Sequence, residues 1–468
     1  MRFRAVISRA SAAFLLAFAL PTSAQIYTVL YNFPASPDGW LPFGQPTLSG
    51  STLYGMTHEG GTNDFDGALF QINTNGTGYT NLHSFGGGNT DGSNPYGSLI
   101  LSGPKLYGMT YSGGSSYGEG TAFQINTNGT GYAILHSFTG VGGDGGYPYG
   151  SLTLYGTNLY GMTTSGGSGY GTLFQINTGD NGYTNLHVFT GNHDGSDPYG
   201  SLTLAGSTLY GMTYSGGSNS YGTVFKINTD GSGYSILHHF SAASGDGEYP
   251  YGSLTLSGST LYGMTSQGGS AMGIVFKIST NGNGFTVLHG FGLAAGDGYD
   301  PQGSLTLCGS TLYGMTNQGG SSGGSGYGTV FQINTDGSGY QILHNFVGYP
   351  TDGNWPYYDA MALSGSTLYG TTEQGGSNYP GYGIVFSLEL PVFSITGIAE
   401  QGNNILITWM SGIGTTNALQ ASSGPNYSTN NFADIFTVTN AVGPTTNYLD
   451  AGAVTNFSSR YYRVRLVP

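Results

Sequence analysis

Seven Asp-Gly pairs recur through the chain as DGWLPFG, DGSNPYG, DGGYPYG, DGSDPYG, DGEYPYG, DGYDPQG and DGNWPYY, carrying Asp38, Asp91, Asp144, Asp194, Asp246, Asp297 and Asp352. Two kinds of chemistry are open to such a set. An Asp side chain can accept backbone N–H groups in an Asx turn, while Gly supplies a positive φ and Pro fixes the entry to the next strand, so the motif can simply build a loop. Alternatively, the aromatic residues after Pro, namely Phe43, Tyr96, Tyr149, Tyr199 and Tyr251, form a collar of ring faces beside carboxylates, suited to sugar rings or cationic groups. These aspartates and rings together are the candidate ligand-binding face.

Metal and catalytic readings fare less well. Calcium needs six to eight converging oxygens, whereas these aspartates stand on separate repeats and no EF-hand loop occurs. His83, His136, His187, His238, His289 and His344 are equivalent to one another, with Tyr31 in the seventh copy. Ligands spread over separate units cannot converge on one ion, so they are expected to hydrogen-bond between units. Acid–base catalysis needs two carboxylates in different environments, which near-identical repeats do not supply. An enzyme would have to use residues that break the repeat: Glu59, Asp64, Asp66, Glu119, His193, Asp197, Glu248 and Asp300. No GxSxG, HExxH, P-loop or dinucleotide fingerprint is present. The lone Cys308 rules out an intrachain disulfide, a Cys-rich zinc site and an iron–sulfur cluster, and is expected to be a buried, inert thiol. No catalytic residue, metal or cofactor is assigned.

The elements that position these residues are short strands. LYGMT, or LYGTT in the last copy, places its Tyr at 54, 107, 160, 210, 262, 313 and 369, a mean interval of about 52 residues. Each unit offers four strand signals; in the fourth they are Ser201 to Leu204, Thr208 to Thr213, Gly222 to Asn228 and Tyr234 to Phe240. Gly, Asn, Asp and Ser punctuate them as hairpins. Four strands per unit of this length make a propeller blade. The last unit lacks its outer strand, and Tyr27 to Phe33 has the right sequence to supply it and hide the edge. The predicted fold is therefore all-β: a seven-bladed β-propeller over residues 25–390, its last blade closed by the N-terminal strand. In that arrangement the Asp-Gly connections and the Gly-Gly loops after the second strands share one face.

Composition agrees. Of 468 residues 86 are Gly and 14 % are aromatic, but only 7 % are charged, so helix formers are scarce and a large apolar core is available. From Gln25 to Leu390 the only basic residues are Lys105, Lys226 and Lys277, against 20 acidic ones. Nucleic acid and anionic lipid are poor partners for such a chain. Residues 1–24 read as a secretory signal peptide, with a basic start, an apolar run from Ala12 to Leu20 and small residues before Gln25. That run is too short to span a bilayer, and no later stretch approaches the roughly 20 apolar residues of a membrane helix. Residues 391–468, with strand signals at Phe393 to Ile398, Asn404 to Met410, Ile435 to Thr439 and Tyr461 to Val467, look like a small fibronectin type III or immunoglobulin-like sandwich.

The double glycines after each second strand, such as Gly60 and Gly61 or Gly216 and Gly217, resemble kelch propellers. More closely, LYGMTxxGGS followed by GTVFxINTxGxGYxxLHxF, recurring over residues 26–388, resembles the GloVer repeat of secreted bacterial proteins. That resemblance implies an exported repeat protein. The resulting expectation is a secreted, non-catalytic binding or structural module acting on an extracellular protein or glycan. The alternatives are a lectin-like propeller and a glycan hydrolase or lyase using the off-repeat carboxylates.

Overall fold

The structure, a computed structural model, describes all residues except 1–25, 35–36, 63–64, 180–181, 242, 244, 269–271, 321–325, 358–359, 378–380, 391–394, 402, 411–416, 424–432, 439–444, 452–459 and 467–468. The expected signal peptide and Asp64 lie outside the described residues. Every regular element among the described residues is a strand.

Thr47–Ser49, Thr52–Thr57, Ala68–Asn73 and Thr80–Ser84 form an antiparallel sheet in chain order. Five more sheets repeat this order within residues 100–137, 153–188, 203–239, 255–290 and 306–345. The seventh is built from both ends of the repeat region. Its order is Tyr27–Asn32, Ile384–Glu389, Thr367–Thr372 and Ala362–Ser364, with Tyr27 opposite Leu388 and Asn32 opposite Ile384. The N-terminal strand thus pairs where the sequence pattern placed it.

Alternation makes each sheet two-faced, and the clusters show what each face meets. Tyr54, Met56, Leu69 and Phe85 of the first sheet pack against Leu99, Leu106, Phe123 and Ile125 of the second. The same set recurs between successive sheets, and Tyr369 and Val385 of the last pack with Leu53, Phe70 and Ile72 of the first. The Gly of LYGMT makes room for the partner strand's Phe ring: a Cβ on Gly55 would lie 2.4 Å from Phe70 Cζ.

The innermost strands of neighbouring sheets do not pair in a ladder, and side chains bridge them. Ser98 N donates to Ser151 Oγ at 2.7 Å, Ser151 N to Ser201 Oγ at 2.7 Å and Ser201 N to Ser253 Oγ at 2.7 Å. For this reason the innermost strand of the fourth unit begins at Thr203 rather than Ser201. Neighbouring backbones also approach closely: a Cβ on Gly97 would lie 2.4 Å from Gly150 O. Inside these strands runs a cavity of about 570 Å³, lined by Gln45, Thr47, Ser98, Ser151, Leu152 and equivalents.

The C-terminal segment has two three-stranded sheets, Ile395–Gln401, Asn404–Met410 and Thr445–Asp450 in one, Ala433–Val438, Asn417–Ser423 and Arg460–Leu466 in the other. Their core holds Ile405, Ile407, Trp409 and Leu419. Two of these strands, Asn417–Ser423 and Thr445–Asp450, are additional to the four signals read in the sequence. Cys308 is half-buried rather than enclosed, because it ends a three-residue strand beside the turn at Gly309; burial still raises its thiol pKa.

Candidate functional site

In an antiparallel four-strand unit the loop after the second strand and the connection leaving the outer strand emerge at the same end. Here the two are paired. Gly92–Ser93 ladders with Ser112–Gly113, Gly145–Gly146 with Ser165–Gly166, and Gly353–Asn354 with Gln374–Gly375. The residue before each Pro is left-handed: Leu41, Asn94, Tyr147, Asp197, Tyr249, Asp300 and Trp355 have φ between 53° and 58°. Each is held by two backbone bonds. Tyr147 N donates to Glu119 O at 2.7 Å, and Thr164 N donates to Tyr147 O at 3.1 Å.

The aspartates face outward, toward the outer strands. Asp91 Oδ2 lies 3.1 Å from His83 Nε2 and accepts Gly86 N at 2.9 Å; its Oδ1 accepts Gly92 N at 2.7 Å. His83 stacks on Tyr132 of the next unit at 4.0 Å. This cluster recurs around the repeats. His136, His187 and His289 stack on Tyr183, Tyr234 and Tyr340, and His238 on Phe285. At the junction of the two chain ends Tyr27 stacks on His344 at 3.7 Å and donates to Asp352 Oδ1 at 2.6 Å, while Tyr31 bonds Asp38 and stacks on Tyr79. Burial alone would raise the carboxyls, but bonds from His and Tyr outweigh it and hold Asp297 and Asp352 below the usual carboxylate range; bonds from His and backbone N–H groups do the same for Asp91, Asp144 and Asp246. Six of the aspartates each bind one histidine of their own unit and Asp38 binds Tyr31 instead, and no three metal-ligating groups converge among the described residues.

The aromatic residues after Pro turn inward and pack on one another. Tyr96 stacks on Tyr149 at 4.1 Å, Tyr149 meets Tyr199 edge-on at 4.9 Å and Tyr199 meets Tyr251 at 5.0 Å. Phe43, 7 % exposed, lies between Tyr96 at 5.1 Å and Tyr357 at 5.7 Å. Tyr357 therefore belongs to the collar; the sequence reading passed over it although it follows Pro356 as its equivalents follow theirs. Tyr96, Tyr149, Tyr199 and Tyr251 enclose a void of about 10 Å³ adjoining the cavity inside the innermost strands at Ser201 and Ser253, room for one water. Burial, with neighbouring tyrosines and carboxylates, pushes Tyr96 and Tyr199 up to about 12.

A second ring surrounds the collar at the position after each second strand, and here the repeats diverge: His58, Tyr111, Thr164, Tyr214, Ser266, Asn317 and Glu373. Tyr96 sits 4.4 Å from His58 and 5.4 Å from Tyr111. Glu373, which the sequence reading did not single out, is lifted by burial to about 7; burial lowers His58 to about 4. The only sequence signal for Glu373 was an acidic residue where other copies carry neutral or basic ones. In the sixth unit the collar residue is Gln302, whose Nε2 donates to Asp300 Oδ2 at 2.8 Å and whose buried Oε1 has no partner. Buried Asn317 Nδ2 likewise has none. Of the other off-repeat residues, Glu59 accepts from Trp40 Nε1 at 2.7 Å, burial raises Glu119, Asp197 and Asp300, and Asp66 and Glu248 lie on the same loops. His193 is exposed.

No curated protein matches this sequence. Among solved structures the chain is similar to PorZ, a bacterial surface component of the type-IX secretion system of Porphyromonas gingivalis (TM-score 0.50, 12 % identity, 94 % of this chain and 61 % of that one). It is also similar to oligogalacturonate lyase of Vibrio parahaemolyticus (0.48, 11 %, 83 % and 97 %) and TolB of Acinetobacter baumannii (0.36, 13 %, 59 % and 59 %). The chain thus spans about three fifths of the length of PorZ and TolB. These likenesses concern the all-β, propeller-like fold alone. The Gloeobacter/Verrucomicrobia repeat model matches residues 16–190 and 115–325, and the chain belongs to that repeat family.

Proposed function

We propose that the protein is an exported, non-catalytic binding module: a closed seven-bladed propeller followed by a fibronectin type III-like domain, with the Asp-Gly face engaging an extracellular protein or glycan. Support for closure comes from contact between the innermost strands of the first and last units and from Thr371 Oγ1 donating to Gly44 O at 3.3 Å. The observation that carries the binding reading is the division of labour on the face. The aspartates are consumed by loop bonds, the scaffold is uniform, and the variable positions (His58, Tyr111, Tyr214, Asn317, Glu373) cluster around the collar. A uniform scaffold presenting a variable centre suits recognition. The test is binding of the full chain to a glycan array and to secreted proteins, with Glu373→Gln and Tyr111→Ala as face variants. Loss of every captured ligand in the variants supports the reading, and unchanged capture refutes it. The hydrolase or lyase alternative would use the off-repeat carboxylates, of which burial raises Glu119, Asp197 and Asp300, with Glu373 as a further candidate acid; release of reducing ends or unsaturated products from polysaccharides, abolished in Glu119→Gln, Asp197→Asn, Asp300→Asn or Glu373→Gln, would favour it instead.

A further inference from the structure

We propose that this face docks a basic polypeptide segment, whose lysine or arginine side chains enter between the carboxylates and aromatic rings of its loops; the inference rests on the binding-module reading above. Charge is segregated along the axis. The loops of this face carry the seven Asp-Gly aspartates and also Glu59, Asp66, Glu119, Asp197, Glu248, Asp300 and Glu373, with no Lys or Arg. The three lysines lie toward the opposite end; Lys277 Nζ reaches Thr335 O there at 3.5 Å. Such a face attracts cations over the whole of its width.

A second, independent observation lies where the collar is broken. Gln302, 8 % exposed, replaces a tyrosine, and its Oε1 has no hydrogen-bond partner beside the half-buried Asp300 carboxyl. Asn354 Oδ1, equally buried, also lacks one. An unsatisfied buried acceptor beside a carboxyl, as at Gln302, calls for donors, which ammonium and guanidinium groups supply in number. The unpaired Asn317 Nδ2 adds a donor for a peptide carbonyl. Large apolar residues are exposed on the same loops: Phe65, Tyr117, Met272 and Leu293 are 69, 59, 50 and 68 % exposed. The rings offer cation–π faces, and Met272 and Leu293 offer apolar surface to aliphatic side chains, which a polypeptide has and a polyamine lacks.

The test is fluorescence anisotropy of the full chain with a labelled (Lys-Gly-Leu)₄ peptide, its Glu counterpart, spermine as competitor and a neutral chitooligosaccharide. The Lys peptide is expected to bind, the Glu peptide not, and affinity to fall at least tenfold between 50 and 500 mM NaCl. Combined Glu119→Gln, Glu248→Gln, Asp300→Asn and Glu373→Gln substitutions should cost at least tenfold, and Asp230→Asn with Asp336→Asn at the opposite end should cost nothing. Should the fourfold variant fail to fold, hydrogen exchange of the native protein with the Lys peptide decides by protection of these loops or of the opposite hairpins. No binding at 50 mM salt, displacement by spermine as effective as by unlabelled peptide, or equal loss in the opposite-end variant overturns the proposal. If only the neutral oligosaccharide binds, and does so through this face, the binding-module reading stands and this inference falls.

Discussion

Tyr27 concentrates the energetics of the chain-end junction in one side chain. It stacks on His344, packs against Phe386 at 5.4 Å and donates to Asp352, which is 4 % exposed and also bonds His344, Val347 N and Gly353 N. Tyr27→Phe keeps the stack and deletes one bond to a charged acceptor, worth about 1.5–3 kcal/mol. The repeat contains its own control: Phe285 occupies the equivalent site beside His238 and Asp246, where Ser241 Oγ fills the carboxylate at 2.9 Å. Asp352 has Val347 where Asp246 has Ser241, so no hydroxyl stands in for the deleted bond and the loss should fall at the upper end, about 3 kcal/mol. Tyr27→Ala also removes the ring, and large-to-small changes at aromatic core positions cost about 3–5 kcal/mol. Urea midpoints at pH 7 should therefore fall in the order native, Tyr27→Phe, Tyr27→Ala, and removal of residues 26–33 should expose the Ile384–Glu389 edge and drive association seen by light scattering. An unchanged midpoint for Tyr27→Ala, with a monomeric truncated chain, would refute the reasoning.

Asp91, Asp144, Asp246, Asp297 and Asp352 are depressed in the folded chain; their contribution is present above the unfolded carboxylate pKa of about 3.9 and is lost as pH falls through the folded values, so the urea midpoint should drop steeply below about pH 4. Glu373 has the opposite sign: raised to about 7, it destabilises as pH rises past the unfolded value through 7, and Glu373→Gln should remove up to about 3 kcal/mol of that slope between pH 5 and 8. Gly108→Ala would place a Cβ 2.6 Å from Phe123 Cζ and 3.0 Å from Leu99 Cδ2, and overpacking of this kind costs about 1–3 kcal/mol, read from the same urea curves.

The repeat made most of the scaffold legible. Period and punctuation located the four strands of each unit, and the missing outer strand pointed to Tyr27–Asn32. What the pattern could not supply was direction. Asp91 follows His83 closely in sequence, but only the path of the loop shows that it turns back to that ring and leaves the collar to tyrosine. The ladders between Asp-Gly segments and Gly-Gly loops were invisible because two-residue strands of Gly and Ser have no period. Glu373 and Asn317 were passed over because their meaning lies in burial and in unmet hydrogen bonds, which depend on neighbours distant in sequence. In the C-terminal segment, Asn417–Ser423 reads NALQASS, too polar to signal a strand, yet Ala418 and Leu419 are fully buried in it.

The account rests on the two ends of the repeat region meeting in one sheet, and a disulfide reports this directly. Thr28 and Ser387 are opposite one another in the antiparallel register. In a Cys308→Ser background, Thr28→Cys with Ser387→Cys should oxidise within one chain to a monomer of altered mobility on a non-reducing gel, independent of protein concentration. Cross-linking only between chains, rising with concentration, or no cross-link under oxidant, would contradict it.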